Sequence, residues 1–222
     1  VPTIGPDGTI YMLNGGKSLV ALDDLGSSYT VKWSKAISGG GYEGAGAVPF
    51  WRDPSDNAVY LWVNVEGSAA GDTNLTILRD DGTQATVMAT ASVGKAWTKG
   101  AVRDGLFYLS TFTDFGPSNL FCFNTTGLVW RAATGVNMFN SPALGADGRI
   151  YVAGQNGLVA AFNAMGVRQW ITNFGTDEII AAPIVLSNRT LYIVSKTAGI
   201  VYCLKDNGTA VELLWTYSAG SG

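Results

Sequence analysis

The chain has 222 residues, of which 47% are hydrophobic and only 14% charged, with 29 glycines. That length can bury a sizeable core, and a glycine-rich, charge-poor composition suits many short strands joined by tight turns better than helices. With 14 Lys and Arg against 17 Asp and Glu, the net charge of -3 gives no basic footprint, so nucleic acid is not an expected partner. No apolar run approaches the roughly 18 residues that cross a bilayer, and membrane insertion is not expected.

The opening segment, Val1-Pro2-Thr3-Ile4-Gly5-Pro6-Asp7-Gly8-Thr9-Ile10-Tyr11, returns almost position for position as Ser141-Pro142-Ala143-Leu144-Gly145-Ala146-Asp147-Gly148-Arg149-Ile150-Tyr151. Repetition at such a distance marks a repeat architecture. An apolar residue followed by Tyr recurs at Tyr11, Tyr60, Tyr108, Tyr151 and Tyr192. After each comes a second apolar strand: Leu19 to Asp23, Leu75 to Arg79, Leu120 to Asn124, Leu158 to Asn163 and Ile200 to Lys205. Turn glycines follow at Gly26, Gly82, Gly127, Gly166 and Gly208, and then a Trp in four units, at Trp33, Trp130, Trp170 and Trp215.

Each unit therefore reads as four strands, in units of approximately 1–47, 48–98, 99–140, 141–181 and 182–222. Asp7-Gly8, Asp104-Gly105 and Asp147-Gly148 predict two-residue hairpins, because Asp-Gly accepts the positive φ angles that match strand twist. Asp56-Asn57 and Ser187-Asn188 stand in at the other two units. No stretch keeps helical periodicity over two turns. A lone four-stranded sheet leaves both faces wet, whereas sheets stacked radially cover one another. The expected fold is an all-β, single-domain β-propeller of about five four-stranded antiparallel blades.

The run Ser141-Pro142-Ala143-Leu144-Gly145-Ala146-Asp147-Gly148-Arg149-Ile150-Tyr151-Val152-Ala153-Gly154-Gln155-Asn156-Gly157-Leu158-Val159-Ala160-Ala161-Phe162-Asn163, closing on Trp170, resembles the repeat of the pyrroloquinoline-quinone-like propellers. The likeness is strongest in the fourth unit and weakest in the second. It implies a propeller, in a family that holds redox enzymes, assembly scaffolds and sensors, and so implies no one activity. The family's dehydrogenases have eight blades, a calcium ion, a catalytic Asp and a disulfide between adjacent cysteines. No position here matches those residues, and no cofactor is expected. Propellers of this kind have seven or eight blades, so the five units are expected to be part of a longer chain or assembly, or to have their outer faces covered by each other or by a partner.

The absence of His removes imidazole bases, Ser-His-Asp triads and most zinc sites. Cys122 and Cys203 fall at equivalent strand positions in the third and fifth units, and are expected to be buried free thiols. The glycine-rich stretch from Ser38 to Gly46 lacks the Lys-Ser/Thr ending of a phosphate loop and reads as a connection between units. Asp53-Pro54-Ser55-Asp56-Asn57 and Arg79-Asp80-Asp81-Gly82 lack the carboxylate spacing of a calcium loop and read as solvated turns.

Asn74, Asn124, Asn188 and Asn207 head Asn-x-Ser/Thr sequons, three of them at predicted turns, which suits a secreted, periplasmic or luminal protein. Most aromatics recur at repeat positions and read as core. Trp51, Trp62, Trp97, Phe112 and Phe115 fall outside the repeat frame and are the candidate partner surface. The expected function is a non-catalytic scaffold or binding module whose partners are proteins, further blades or other copies. The alternative is an enzyme or lectin, quinoprotein-like or carbohydrate-active, with its site at the propeller axis.

Overall fold

The structure is a computed structural model that describes residues 1–15, 18–37, 47–66, 73–94, 96, 100–112, 118–138 and 140–220. The Gly-rich stretch from Ser38 to Gly46, Trp97 and Phe115 lie outside them. Five four-stranded sheets follow one another, each a meander in chain order. Sheet 1 holds β1 (Thr3–Ile4), β2 (Ile10–Asn14), β3 (Ser18–Asp24) and β4 (Tyr29–Ala36), and sheet 2 holds β5 (Phe50–Arg52), β6 (Val59–Glu66), β7 (Thr73–Asp80) and β8 (Ala85–Gly94). Sheet 3 holds β9 (Ala101–Arg103), β10 (Leu106–Ser110), β11 (Asn119–Asn124) and β12 (Gly127–Ala133). Sheet 4 holds β13 (Ala143–Leu144), β14 (Ile150–Ala153), β15 (Leu158–Phe162) and β16 (Arg168–Asn173), and sheet 5 holds β17 (Ile184–Val185), β18 (Thr190–Val194), β19 (Ile200–Asp206) and β20 (Val211–Ser218). The described residues include no helix long and apolar enough to cross a membrane.

By contacts the chain divides into two compact units, residues 1–107 with 123–129, and residues 108–122 with 130–222. In the first, Tyr11, Leu19, Ala21 and Trp33 of sheet 1 pack against Leu61, Val63 and Leu78 of sheet 2. In the second, Tyr151, Val159, Ala161 and Trp170 of sheet 4 pack against Leu191, Ile193 and Leu204 of sheet 5. Each core is thus a seam between two sheets, and each large side chain sealed in it contributes about 1.5–3 kcal/mol.

The register explains why a Trp recurs on the fourth strand. Trp33 pairs with Ala21, Trp170 with Ala161 and Trp215 with Cys203, and immediately beyond each pair the register slips by one residue. Such a bulge leaves Lys32, Gln169 and Leu214 unpaired, raises the local twist and re-aims the tryptophan beside it. Sheet 2 keeps the bulge but sets Ala89 opposite Ile77, and Trp62 occupies the β6 position that corresponds to Tyr11. Trp62 therefore lies inside the repeat frame rather than outside it, with its bulk moved from the fourth strand to the second.

Turn chemistry differs from the sequence expectation at four of the five first hairpins. Only Asp104-Gly105 has positive φ at both residues, 49° and 74°, as a two-residue turn requires. There a side chain on Gly105 would also meet the Trp51 ring at 3.1 Å. In sheet 1 the Gly8 amide donates to Gly5 O while Asp7 Oδ1 accepts from the Thr9 amide. Asp147 and Asn188 do the same for the amides of Arg149 and Thr190, and Asp56 for that of Ala58. The Asp or Asn is therefore the acceptor of an Asx turn, and the residue after it takes the left-handed conformation. In sheet 5 that residue is Arg189, with φ 64°, and not Asn188.

Candidate functional site

The repeat brings one group of chemically capable side chains together in the same way at two seams. At the end of β7, Asp80 accepts from Tyr11 Oη at 2.6 Å and from Trp33 Nε1 at 2.9 Å. At the end of β19, Asp206 accepts from Tyr151 Oη at 2.8 Å and from Trp170 Nε1 at 3.0 Å. Both carboxylates are buried, and each also holds the amide of the turn glycine two residues on, Gly82 or Gly208. Burial is tolerable because every bond is charge-assisted. At the second seam Arg149 Nη1 adds a 2.9 Å ion pair to Asp206 and donates to Gly208 O.

The geometry follows from strand alternation. Tyr and Trp point out of one face of a sheet, whereas Leu78–Asp80 or Leu204–Asp206 points out of the opposite face of the next sheet, so donor and acceptor meet across the seam. Burial, and then the bond to the neighbouring Asp, push the Tyr11 and Tyr151 hydroxyls well above the ordinary phenol range. These tyrosines are fixed donors and not proton carriers at neutral pH.

The other seams use substitutes. Trp130 Nε1 donates to Ala164 O at 2.9 Å, a backbone acceptor where sheets 2 and 5 place Asp. Trp62 stacks on Phe107 with centroids 5.7 Å apart and planes 23° apart, and its buried Nε1 has no hydrogen-bond partner.

The side chains singled out from the sequence are scattered. Trp62 and Phe112 are buried, so they are interior residues and not partner surface: an aromatic outside the expected frame filled a gap in the core instead. Trp51 is half-buried and lies over the Gly105 turn, 6.1 Å from the Tyr60 ring. Cys122 and Cys203 are buried free thiols, and burial pushes the Cys122 thiol up to about 12. Asn188 and Asn207 are exposed in turns, Asn124 is half-buried and accepts from Thr126 and Gly127, and Asn74 lies half-buried within β7. Asp80, expected in a solvated turn, is buried instead, because Tyr11 and Trp33 reach it. The sequence carried a signal for it: Asp24-x-Gly26, Asp80-x-Gly82 and Asp206-x-Gly208 recur at one place in the repeat.

Beside the first seam, Asp7, Asp56, Arg79, Asp80 and Asp81 line an open cleft of about 250 Å³. Its acids are engaged locally: Asp56 pairs with Arg79 at 3.3 Å, and Asp81 caps the Thr83 and Gln84 amides. Among the described residues no three His, Cys, Asp or Glu side chains converge as a metal site. Among the described residues, the separate buried thiols and the engaged carboxylates of Asp56, Asp80, Asp81 and Asp206 do not fit the calcium and adjacent-disulfide arrangement of a quinone dehydrogenase.

Four-stranded meanders tethered through alternate faces are the blades of one architecture. The fold is a β-propeller. The Dos1 propeller is similar to 100% of this chain with a TM-score of 0.73, at 10% identity and over 59% of its own length. Sqt1 of Saccharomyces cerevisiae is similar over 95% of this chain and 59% of its own, at 10% identity and a TM-score of 0.67. The quinohemoprotein alcohol dehydrogenase ADHIIG from Pseudomonas putida HK5 is similar over 98% of this chain, at 14% identity and a TM-score of 0.64, and the chain spans 41% of its length. No family model and no curated protein matches the sequence. At such identities the likeness carries the fold and not the activity.

Proposed function

We propose that this chain is a non-catalytic propeller module that binds protein and serves as a scaffold. The observation that carries this reading is the outward face of sheet 5. Trp215 stands in the frame of Trp33 and Trp170, yet it is 47% exposed where they are 7% exposed. Tyr192 lies 5.9 Å from it, ring to ring, and Ile184, Val194 and Tyr217 extend the same exposed face. A rigid sheet presenting aromatic and aliphatic side chains is the chemistry of a protein interface. The engagement of Asp80 and Asp206 as structural acceptors supports the same reading, since it draws buried carboxylates away from acid–base work.

The repeat is proposed to be of the pyrroloquinoline-quinone-like kind, used here for its framework. A secreted, periplasmic or luminal location is proposed with it, on the exposed turn sequons at Asn188 and Asn207, and a glycosidase-sensitive mass on the protein from its natural source checks that. The scaffold reading is tested by hydroxyl-radical footprinting of Trp215 in native extract and in the purified, dilute chain. Protection in the extract and oxidation in the dilute chain are expected. Equal oxidation in both overturns it.

A further inference from the structure

Sheets 1 and 5 each carry one half of the tether that joins sheet 1 to sheet 2 and sheet 4 to sheet 5, and the two halves are complementary. Asp24 ends β3 as Asp80 ends β7 and Asp206 ends β19. Its Oδ1 already accepts the Gly26 amide at 2.8 Å, against 2.7 Å and 2.8 Å for the matching bonds of Asp80 and Asp206. The Asx turn is thus set in the same form, but Asp24 is exposed where the other two are buried. Sheet 5 holds the opposite half, Tyr192 and Trp215 in register with Cys203, as Tyr11 and Trp33 are with Ala21. The ring pairs match as well: 5.9 Å and 49° for Tyr192–Trp215, 6.0 Å and 42° for Tyr11–Trp33, 6.1 Å and 45° for Tyr151–Trp170. A donor pair built to the geometry of two occupied sites stands open to solvent.

The apolar surroundings repeat the pattern. Met12 and Leu22 sit on the Asp24 face of sheet 1 and are half-buried, whereas Val63 and Leu78, at the same places in sheet 2, are buried in the core shared with sheet 1. On sheet 5, Val194 is 41% exposed where its counterpart Ala153 is fully buried. Each open face thus carries the hydrophobic seam and half of the hydrogen bonding that its closed equivalents use inside the chain.

We propose that the Tyr192–Trp215 face of one molecule docks on the Asp24 face of a second copy of this chain, head to tail, reproducing between chains the Tyr–Trp–Asp tether within them. The occupant is a copy because one chain carries both halves, matched in donor, acceptor and apolar position, and because the contact continues an interface already made twice. It rests on the scaffold reading and gives that reading a partner. The two patches differ, so the contact is heterologous and adds copies one after another rather than stopping at a symmetric dimer. At each junction Trp215 Nε1 and Tyr192 Oη would donate to Asp24, as Trp170 and Tyr151 do to Asp206.

The test uses the purified 222-residue chain and its Asp24→Ala and Trp215→Ala variants in sedimentation velocity from micromolar to millimolar concentration. Both positions are exposed, so the variants should keep the parent circular dichroism. The parent is expected to give a concentration-dependent ladder of multiples of 23.3 kDa, and each variant alone to stay at the single-chain mass. Mixed in equal amounts, the variants should give a one-to-one dimer and nothing larger, because each supplies the face the other lacks. A parent that remains single throughout overturns the proposal, as does a ladder that survives either substitution or a mixture that fails to pair. If the parent stays single while footprinting in native extract still protects Trp215, only the second copy is refuted. If Trp215 is oxidised equally in both, the scaffold reading falls too.

Discussion

Asp206 is the residue whose loss should reveal most about how the blades hold together. Replacing it by Ala leaves Tyr151 Oη, Trp170 Nε1 and the Gly208 amide without their acceptor, and takes the counter-charge from Arg149, whose side chain is only 13% exposed. Each stranded donor costs about 1 kcal/mol or more, and opening a buried ion pair from one side costs about 3 kcal/mol. Water entering the vacated space and the 3.7 Å contact of Arg149 with Asp147 offset part of that sum. A net loss of about 4 kcal/mol remains, a large share of the roughly 5–15 kcal/mol that holds a domain folded. In urea the midpoint should fall by about 1.5 M if the slope is near 2.5 kcal/mol/M. Asp206→Asn, which keeps one acceptor and the shape, should lose about half as much. Asp24→Ala removes the same Asx turn without a seam and, in dilute protein, should barely move the midpoint. Urea unfolding followed by tryptophan fluorescence, with hydrogen exchange read along β19, gives the comparison. A midpoint for Asp206→Ala that matches Asp24→Ala refutes the idea that the carboxylate joins sheets 4 and 5.

Trp33→Phe and Trp170→Phe each give up a hydrogen bond to a buried carboxylate and should cost about 2 kcal/mol beyond the area lost, whereas Trp62→Phe removes a donor that has no partner and should cost clearly less; paired urea curves decide the order. Alkaline stability should fail in a defined window. Tyr11 and Tyr151 are raised above 10.0, and Cys122 from 9.0 to about 12, so their contribution is whole below the unfolded values and is lost as pH climbs from about 9 to 12. Thermal unfolding midpoints across that range check it, and a flat profile contradicts the buried-tether picture. Gly154→Ala should lose about 2 kcal/mol or more, since its new carbon would sit 2.0 Å from Asn137 O, a backbone atom that cannot turn aside. Gly148→Ala meets only Ala164 at 3.8 Å and should pay only for its φ of 82°.

Local chemistry was legible in the chain because it repeats. The recurrence of Ile-Tyr, of a second apolar run and of Trp carries the strand count, the sheet order and the buried thiol positions, since alternation and turn glycines act over a few residues. Of the Asp-Gly pairs, Asp104-Gly105 makes the expected turn, whereas Asp7-Gly8 and Asp147-Gly148 mark the right places but not the right turn, because an Asp that accepts from the amide two residues on and an Asp that adopts positive φ look alike in sequence. Trp62 shows the other limit. Its spacing set it apart from the repeat, and only the register with Ile77 revealed that it fills the tyrosine's place, while Ala89 takes the place of the tryptophan. Asp80 reads as a turn carboxylate, and nothing nearby marks Asp206 as a tether, because their donors lie 69 and 47 residues away in one case, 55 and 36 in the other. The sequence by itself determined which residues form strands and where they turn, since those preferences are local. Only the tertiary structure decided which carboxylates are buried, which tryptophan is left exposed and which faces remain open, because a tether between blades exists only once two distant strands present opposite faces to one another.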